Sequence, residues 1–257
     1  FPVAWALGRL ARPSARDLAL HLIRSAFLAA STLFFFAALA HMPVADAIAV
    51  FFVEPFILTL LSGLLLGEPV GWRRYLACAI GFAGALLVIQ PSFAEIGWPA
   101  AYPLATALLF AIYLVLTRSM APNRDPFDLQ AWTALGGTLI LALLLALFEN
   151  TGQPALDPIP PPAFTLPWLL GIGVMATISH LFITAAFRAA PASVLAPLQY
   201  LEIVAATLLG LLVFGDFPDS LTWAGVAIIV GSGLFVAWRE RLAARMPSVR
   251  ETAPPPR

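Results

Sequence analysis

The stretch Val50-Phe-Phe-Val-Glu-Pro-Phe-Ile-Leu-Thr-Leu-Leu-Ser-Gly63 sets a carboxylate and a proline side by side inside an apolar run. A water-soluble helix leaves a glutamate on its solvent face and avoids an interior proline, which removes one backbone donor and crowds the preceding turn. This run is apolar all round and offers no such face. Extended to about residues 44–66, it is long enough to cross a bilayer core as helix. Glu54 then lies within the hydrocarbon. An ionised acid there costs about 3 kcal/mol on insertion scales, and such residues face a bundle interior or a cavity. Pro55 leaves the carbonyl of Phe51, four residues earlier, without its helical donor, so a kink with free polar backbone is expected beside the acid.

The rest of the chain has the same character. Hydrophobic residues make up 61% and charged ones 11%, against about 45–50% and about 25% in soluble domains. The hydropathy pattern predicts eight spans, at about 22–41, 44–66, 72–90, 99–119, 127–148, 167–187, 192–214 and 221–239. The reading is an all-α polytopic membrane protein. Pro and Gly punctuate the short connections, as at 41–43, 67–69, 189–191 and 215–218. The connection 150–162 carries five prolines and is expected to be extended, and the Pro-rich tail 241–257 to be disordered.

Charge placement orients the chain. All fourteen basic residues are arginines, in clusters at 9–24, 73–74, 118–124, 188 and 239–257. The alternate connections carry acids and no arginine. The positive-inside rule puts the arginine clusters, and with them the C-terminus, on the cytoplasmic side of a bacterial-type inner membrane. It also implies that no arginine lines an intramembrane path. Trp72, Trp98, Trp132, Trp168, Trp223 and Trp238 lie near span ends, where an interfacial belt is expected. The single cysteine, Cys78, reads as a small packing residue.

Internal similarity organises the spans. A shift of 148 residues brings Ser31 onto Ser179, Phe34 onto Phe182, Pro43 onto Pro191, Glu54 onto Glu202 and Gly67 onto Gly215. The first copy enters from an arginine-rich end and the second from the arginine-free proline connection, so the copies are inverted. Inverted repeats place a solute site near the midplane between them. The second copy has five spans and the first three. The missing pair is expected in roughly fifty residues before Phe1, with "FPVAWALGRL" the end of the second of them. The domains drawn are an incomplete N-terminal repeat, 1–92, a C-terminal repeat, 93–240, and the tail 241–257.

The stretch 34–91, with its Met-Pro-Val-Ala hinge, Glu54-Pro55, Gly67-Glu68 and Trp72, and its echo at 186–217, resemble the drug/metabolite transporter superfamily in its EamA-type family. The resemblance covers nearly all of residues 20–240. It implies two inverted five-helix repeats, the first lacking its first two helices here, and alternating access. It also implies secondary transport of a small organic solute such as an amino acid, an amino-acid derivative or a vitamin. The second repeat departs from the first in having Ile203 after Glu202 where the first has Pro55 after Glu54.

Candidates for the solute path follow from position. Glu54 and Glu202 each stand eleven residues into their spans, from opposite sides, and so at similar depth. They either contact a cation, proton or solute, or bridge packed helices as neutral acids. Thr177, His180 and Thr184 share a helical face, and His180 is a candidate gate or ligand. By the 148-residue shift Thr32 is the counterpart of His180, with Ser31 beside it, and Gln199 stands one turn from Glu202. Thr106 and Tyr113 offer a polar group and a stacking ring. Ala77, Gly81 and Ala85, and Ala227 and Gly231, suit close helix contacts in the scaffold or a homodimer. Glu68 is expected to pair with Arg73 or Arg74 at the surface.

No His-Glu-x-x-His, nucleophile elbow or phosphate loop occurs, so neither hydrolytic chemistry nor ATP-driven pumping has a motif. No cofactor or metal is expected, and no nucleic-acid partner; the partners are the bilayer and a small solute. A membrane-embedded enzyme and a non-transporting fragment or accessory subunit are the alternative readings.

Overall fold

The computed structural model describes residues 1–91, 97–149, 161–215 and 217–245. Most of the proline-rich connection, Asp216 and the tail beyond residue 245 lie outside the described residues. Among the described residues all regular structure is helical: α1 (Pro2–Ala6), α2 (Ala15–Leu39), α3 (Val44–Phe51), α4 (Glu54–Leu66), α5 (Trp72–Ile89), α6 (Ala101–Met120), α7 (Pro126–Phe148), α8 (Leu166–Ala189), α9 (Ala192–Leu195), α10 (Leu201–Leu209) and α11 (Ser220–Arg245). Eight stretches among them are long and apolar enough to cross a membrane. Their limits follow the hydropathy reading closely, with one clear exception. α2 begins at Ala15 rather than near residue 22, because Ser14 and Asp17 form a reciprocal capping box. Hydropathy averages over the polar residues Arg16 and Asp17 and so misses that first turn.

Burial is inverted relative to a soluble protein. His21, Arg24, Glu54, Thr59, Thr117 and Thr184 are buried, while Leu64, Phe182 and Leu212 are exposed. Large apolar side chains turned outward suit a lipid solvent, and polar ones gathered inward find partners there. The inner layer is built where α2 packs on α6 and α7, and α4 on α6. Ser31 and Thr106 join α2 to α6 through each other's backbone carbonyls, at 3.3 and 3.4 Å.

α5 and α11 pack most extensively on each other, outside that layer. Of the small residues expected at such contacts, Ala77 and Ala85 are buried among α11 side chains and Ala227 and Gly231 are not, while the closest approach is made by Gly84 and Gly225. A Cβ on Gly225 would stand 2.6 Å from the Gly84 carbonyl, whereas one on Gly231 would meet nothing within 4 Å. Gly81 instead receives the ring of Tyr200, 2.4 Å from where a Cβ would be. Trp72, Trp98, Trp168 and Trp238 are well exposed near helix ends, as an interfacial belt requires. Trp132 departs from the expectation and turns inward, its ring 5.6 Å from Phe1 and 5.9 Å from His21.

Candidate functional site

Two of the eight spans are broken at mid-length. The second divides into α3 and α4 at Phe52 and Val53, and Glu54 opens the second half with Pro55 behind it. Proline suits this place because the first turn of a helix has no use for its missing donor. The seventh divides into α9, a 3₁₀ turn over Ala196–Tyr200, and α10, whose first turn holds Glu202. Each glutamate thus stands at the start of a half-helix, a position expected from the 148-residue shift only as a shared depth.

The two breaks meet. The Tyr200 hydroxyl donates to the Phe52 carbonyl at 2.9 Å, and the two rings pack at 5.7 Å. Phe56 bonds to Val53 rather than Phe52, so the carbonyl that receives outside help at the proline is Phe52's, not Phe51's. Beside this junction Glu54 is 1% exposed, and neither carboxyl oxygen has a hydrogen-bond partner. The bridge to neighbouring helices that a neutral acid was expected to supply is not made. Glu202 lies within electrostatic reach of Glu54 but faces open space.

That space is a cavity of about 660 Å³ between α3, α5 and α10. Ile48, Phe52, Ile89, Glu202 and Thr207 line it, with Val44 near its rim. Val44 and Ile89 are close to the ends of their helices that adjoin the arginine-free connections, so the cavity occupies that half of the bundle.

At the arginine-rich ends the bundle is tied shut. Glu68 accepts from Arg118 Nε at 3.1 Å, from the Ala192 and Ser193 amides at 3.0 and 3.1 Å, and from the Ser193 hydroxyl at 2.9 Å. Arg74 reaches the same hydroxyl at 2.6 Å, and Arg118 also donates to the Phe187 carbonyl. Glu68 is therefore a half-buried knot joining the ends of α4, α6 and α8 to the start of α9. The expected surface pair with Arg73 or Arg74 is not the arrangement found. Burial works against ionisation of Glu68, yet the amides and hydroxyl at 192–193 and Arg118 together hold its carboxyl below the ordinary range.

A third polar group was not foreseen. Arg24 is wholly buried rather than part of a surface cluster. It donates to Thr117 Oγ1 at 2.9 Å and the Leu129 carbonyl at 3.1 Å, and its guanidinium sits 5.2 Å over the Tyr113 ring. Tyr113 in turn meets His180 Nδ1 at 3.2 Å. Arginine does enter the bundle, so its absence from an intramembrane path is not a property of this fold.

The remaining candidates scatter. Thr177 lines a separate cavity of about 600 Å³ between α1, α7 and α8. Thr184 is buried and bonds to the His180 carbonyl, Thr32 is exposed and bonds to the Leu28 carbonyl, and Gln199 is half-buried within the 3₁₀ turn. Residues overlooked by sequence reasoning are Arg24 and the Phe52–Tyr200 pair. The latter had a signal, since Phe52 and Tyr200 are themselves 148 residues apart.

The model of the EamA-like transporter family matches residues 1–90 and 97–238. The chain belongs to the EamA-like transporter family. Among its relatives, the riboflavin transporter of Rhizobium johnstonii is 32% identical over 233 residues, covering 89% of this chain and 73% of that protein. The riboflavin transporter of Brucella anthropi is 30% identical, over 84% of this chain and 75% of its own length. The S-adenosylmethionine uptake transporter of Rickettsia prowazekii is 24% identical, over 77% and 65%. A solved crystal structure shares the fold, with a TM-score of 0.76 over 92% of this chain and 82% of its own, at 21% identity. The EamA family assignment and the eight apolar spans make this an integral membrane protein of a small-solute transporter family.

Proposed function

We propose that this EamA-family protein is a secondary transporter that carries a planar, ring-bearing solute of the riboflavin kind by alternating access between its two repeats, 1–92 and 93–240. The observation that carries this reading is the asymmetry of the bundle. A cavity of about 660 Å³ opens in the arginine-free half and reaches Glu202 and the Phe52–Tyr200 junction. The opposite end is closed by Glu68, which ties the first repeat to Arg118, Ala192 and Ser193 of the second. The size suits a small organic ligand, since such sites run to about 300–1,000 Å³.

By the positive-inside rule the arginine-rich ends are cytoplasmic, so this state is open outward and closed inward in a bacterial inner membrane. Return to the inward-open state requires the Glu68 knot to part and the first repeat to rock against the second. Phe52 is the aromatic residue of the cavity lining, and its apolar neighbours Ile48 and Ile89 suit a planar solute. The Arg24, Tyr113 and His180 group, with Thr184 and Gln199, belongs to the part of the path exposed in the other state, and Thr177 faces the second cavity already open in this one. Ser31, Thr32 and Thr106 flank it on α2 and α6. The riboflavin transporters at 30–32% identity support the solute class.

Counterflow tests this function. The full-length protein in liposomes preloaded with unlabelled riboflavin is expected to take up labelled riboflavin saturably and without ATP. No counterflow with riboflavin or with a broad panel of ring-bearing metabolites contradicts the reading.

A further inference from the structure

We propose that Glu54 and Glu202 together form a proton site that couples solute movement to a proton gradient; this extends the transport reading above.

The geometry is that of an unfinished ion site. Glu54 is 1% exposed with both oxygens unpartnered, and Glu202 lines the cavity that Phe52, two residues before Glu54, also lines. No cationic side chain pairs with either acid among the described residues. Two neighbouring carboxylates in a low-dielectric interior repel each other, and each lacks a countercharge. A proton is the smallest species that supplies it, and a route exists through the cavity to Glu202.

Among the described residues the neighbouring ionisable groups are engaged elsewhere or stand away from the pair. Cys78 of α5 is engaged with Thr59 at 3.3 Å, and the Tyr200 hydroxyl with the Phe52 carbonyl. On α6, Tyr113 is committed to His180 and Arg118 to Glu68. α9 carries no ionisable side chain, and Arg73 and Arg74 of α5 stand at its first turn, on the arginine-rich side. Asp46 of α3 is buried further towards the arginine-free end and has its own contacts.

The half-helix setting explains why the site is at the breaks. A half-helix start presents the positive end of its dipole to a carboxylate and lets the ionised form exist transiently once water arrives. Movement of the Phe52–Tyr200 junction is the step that connects buried Glu54 with the cavity.

The test uses full-length protein in liposomes, with labelled riboflavin as the probe. For one proton per solute, a gradient of one pH unit drives up to about tenfold accumulation, because a tenfold ratio and one pH unit are the same free energy. That accumulation is expected to collapse with a protonophore and to be lost in Glu54→Gln and in Glu202→Gln. Accumulation that follows a sodium gradient instead, or that survives both substitutions, overturns the proposal. Infrared difference spectroscopy of the solubilised protein reads the site without any solute. A protonated-carboxyl band that titrates with pH and disappears in each variant is expected, and an unchanged band in both overturns it. Failure of riboflavin counterflow with the band present would sink the solute reading alone.

Discussion

The Tyr200 hydroxyl reaches the Phe52 carbonyl at 2.9 Å, and the two residues stand 148 apart in the chain, the same separation as Glu54 and Glu202. One contact therefore closes the gap in the second span with a side chain from the break in the seventh. Tyr200→Phe keeps the ring contact and leaves a buried carbonyl unpaired. A loss of about 1–3 kcal/mol is expected, read as a lower unfolding temperature in detergent. Unchanged stability would mean that water or a rearranged helix satisfies Phe52.

Glycine substitutions separate close packing from open surface. Gly225→Ala would place a methyl group 2.6 Å from the Gly84 carbonyl, a backbone atom that cannot swing away. Gly231→Ala meets nothing within 4 Å. Destabilisation of about 1–3 kcal/mol is expected for the first from overpacking. The second should be neutral or slightly stabilising, since alanine is the better helix former. Equal unfolding temperatures for the two variants would contradict the α5–α11 packing described.

The Glu68 knot carries a pH signature. Its carboxyl is held below the ordinary range in the folded protein. Its contribution is therefore fully present above the ordinary carboxylate value and is lost as pH falls through the lower folded value. Stability should hold from neutrality down to about pH 5 and decline below it, by an amount that Glu68→Gln removes. The variant itself should lose about 1.5–3 kcal/mol, the range for hydrogen bonds to a charged group. Unfolding temperatures measured against pH for both proteins check this; parallel curves would show that Glu68 is not the titrating tie.

Arg24 yields a less obvious expectation. Its partners have other bonds: Thr117 Oγ1 also donates to the Tyr113 carbonyl at 2.7 Å, and the Leu129 carbonyl also accepts from Thr133 at 2.8 Å. Arg24→Met thus removes a buried charge without stranding its neighbours, and such replacements are often neutral or stabilising. A change within about 1 kcal/mol is expected. A loss above about 3 kcal/mol, the scale of a broken buried pair, would make Arg24 a structural staple.

Much of this was legible in the sequence because lipid imposes simple rules. Span limits, the arginine asymmetry and the echo of Glu54 in Glu202 need only hydropathy, charge and a fixed shift. The helix break at Glu54-Pro55 follows from proline's missing donor. What did not follow depends on which way a side chain turns. Arg24 and Arg118 look like the surface arginines beside them, yet one is buried under Tyr113 and the other pairs with Glu68. Gly84 and Gly231 look alike in apolar runs, and only the neighbouring helix distinguishes them. Trp132 sits at a belt position, but its ring meets Phe1 and the buried His21 instead.

The central claim is that the cavity holding Glu202 is the solute's entry on the arginine-free side. With Cys78 replaced by alanine, Thr207→Cys reports on the cavity wall and Ser193→Cys on the closed end. A membrane-impermeant thiol reagent applied to vesicles of each orientation should label position 207 from outside only, and riboflavin should slow that labelling. Position 193 should stay protected from outside and gain cytoplasmic labelling when Glu68→Gln is added. Labelling of position 207 from the cytoplasmic side alone, or labelling indifferent to riboflavin, would contradict the account.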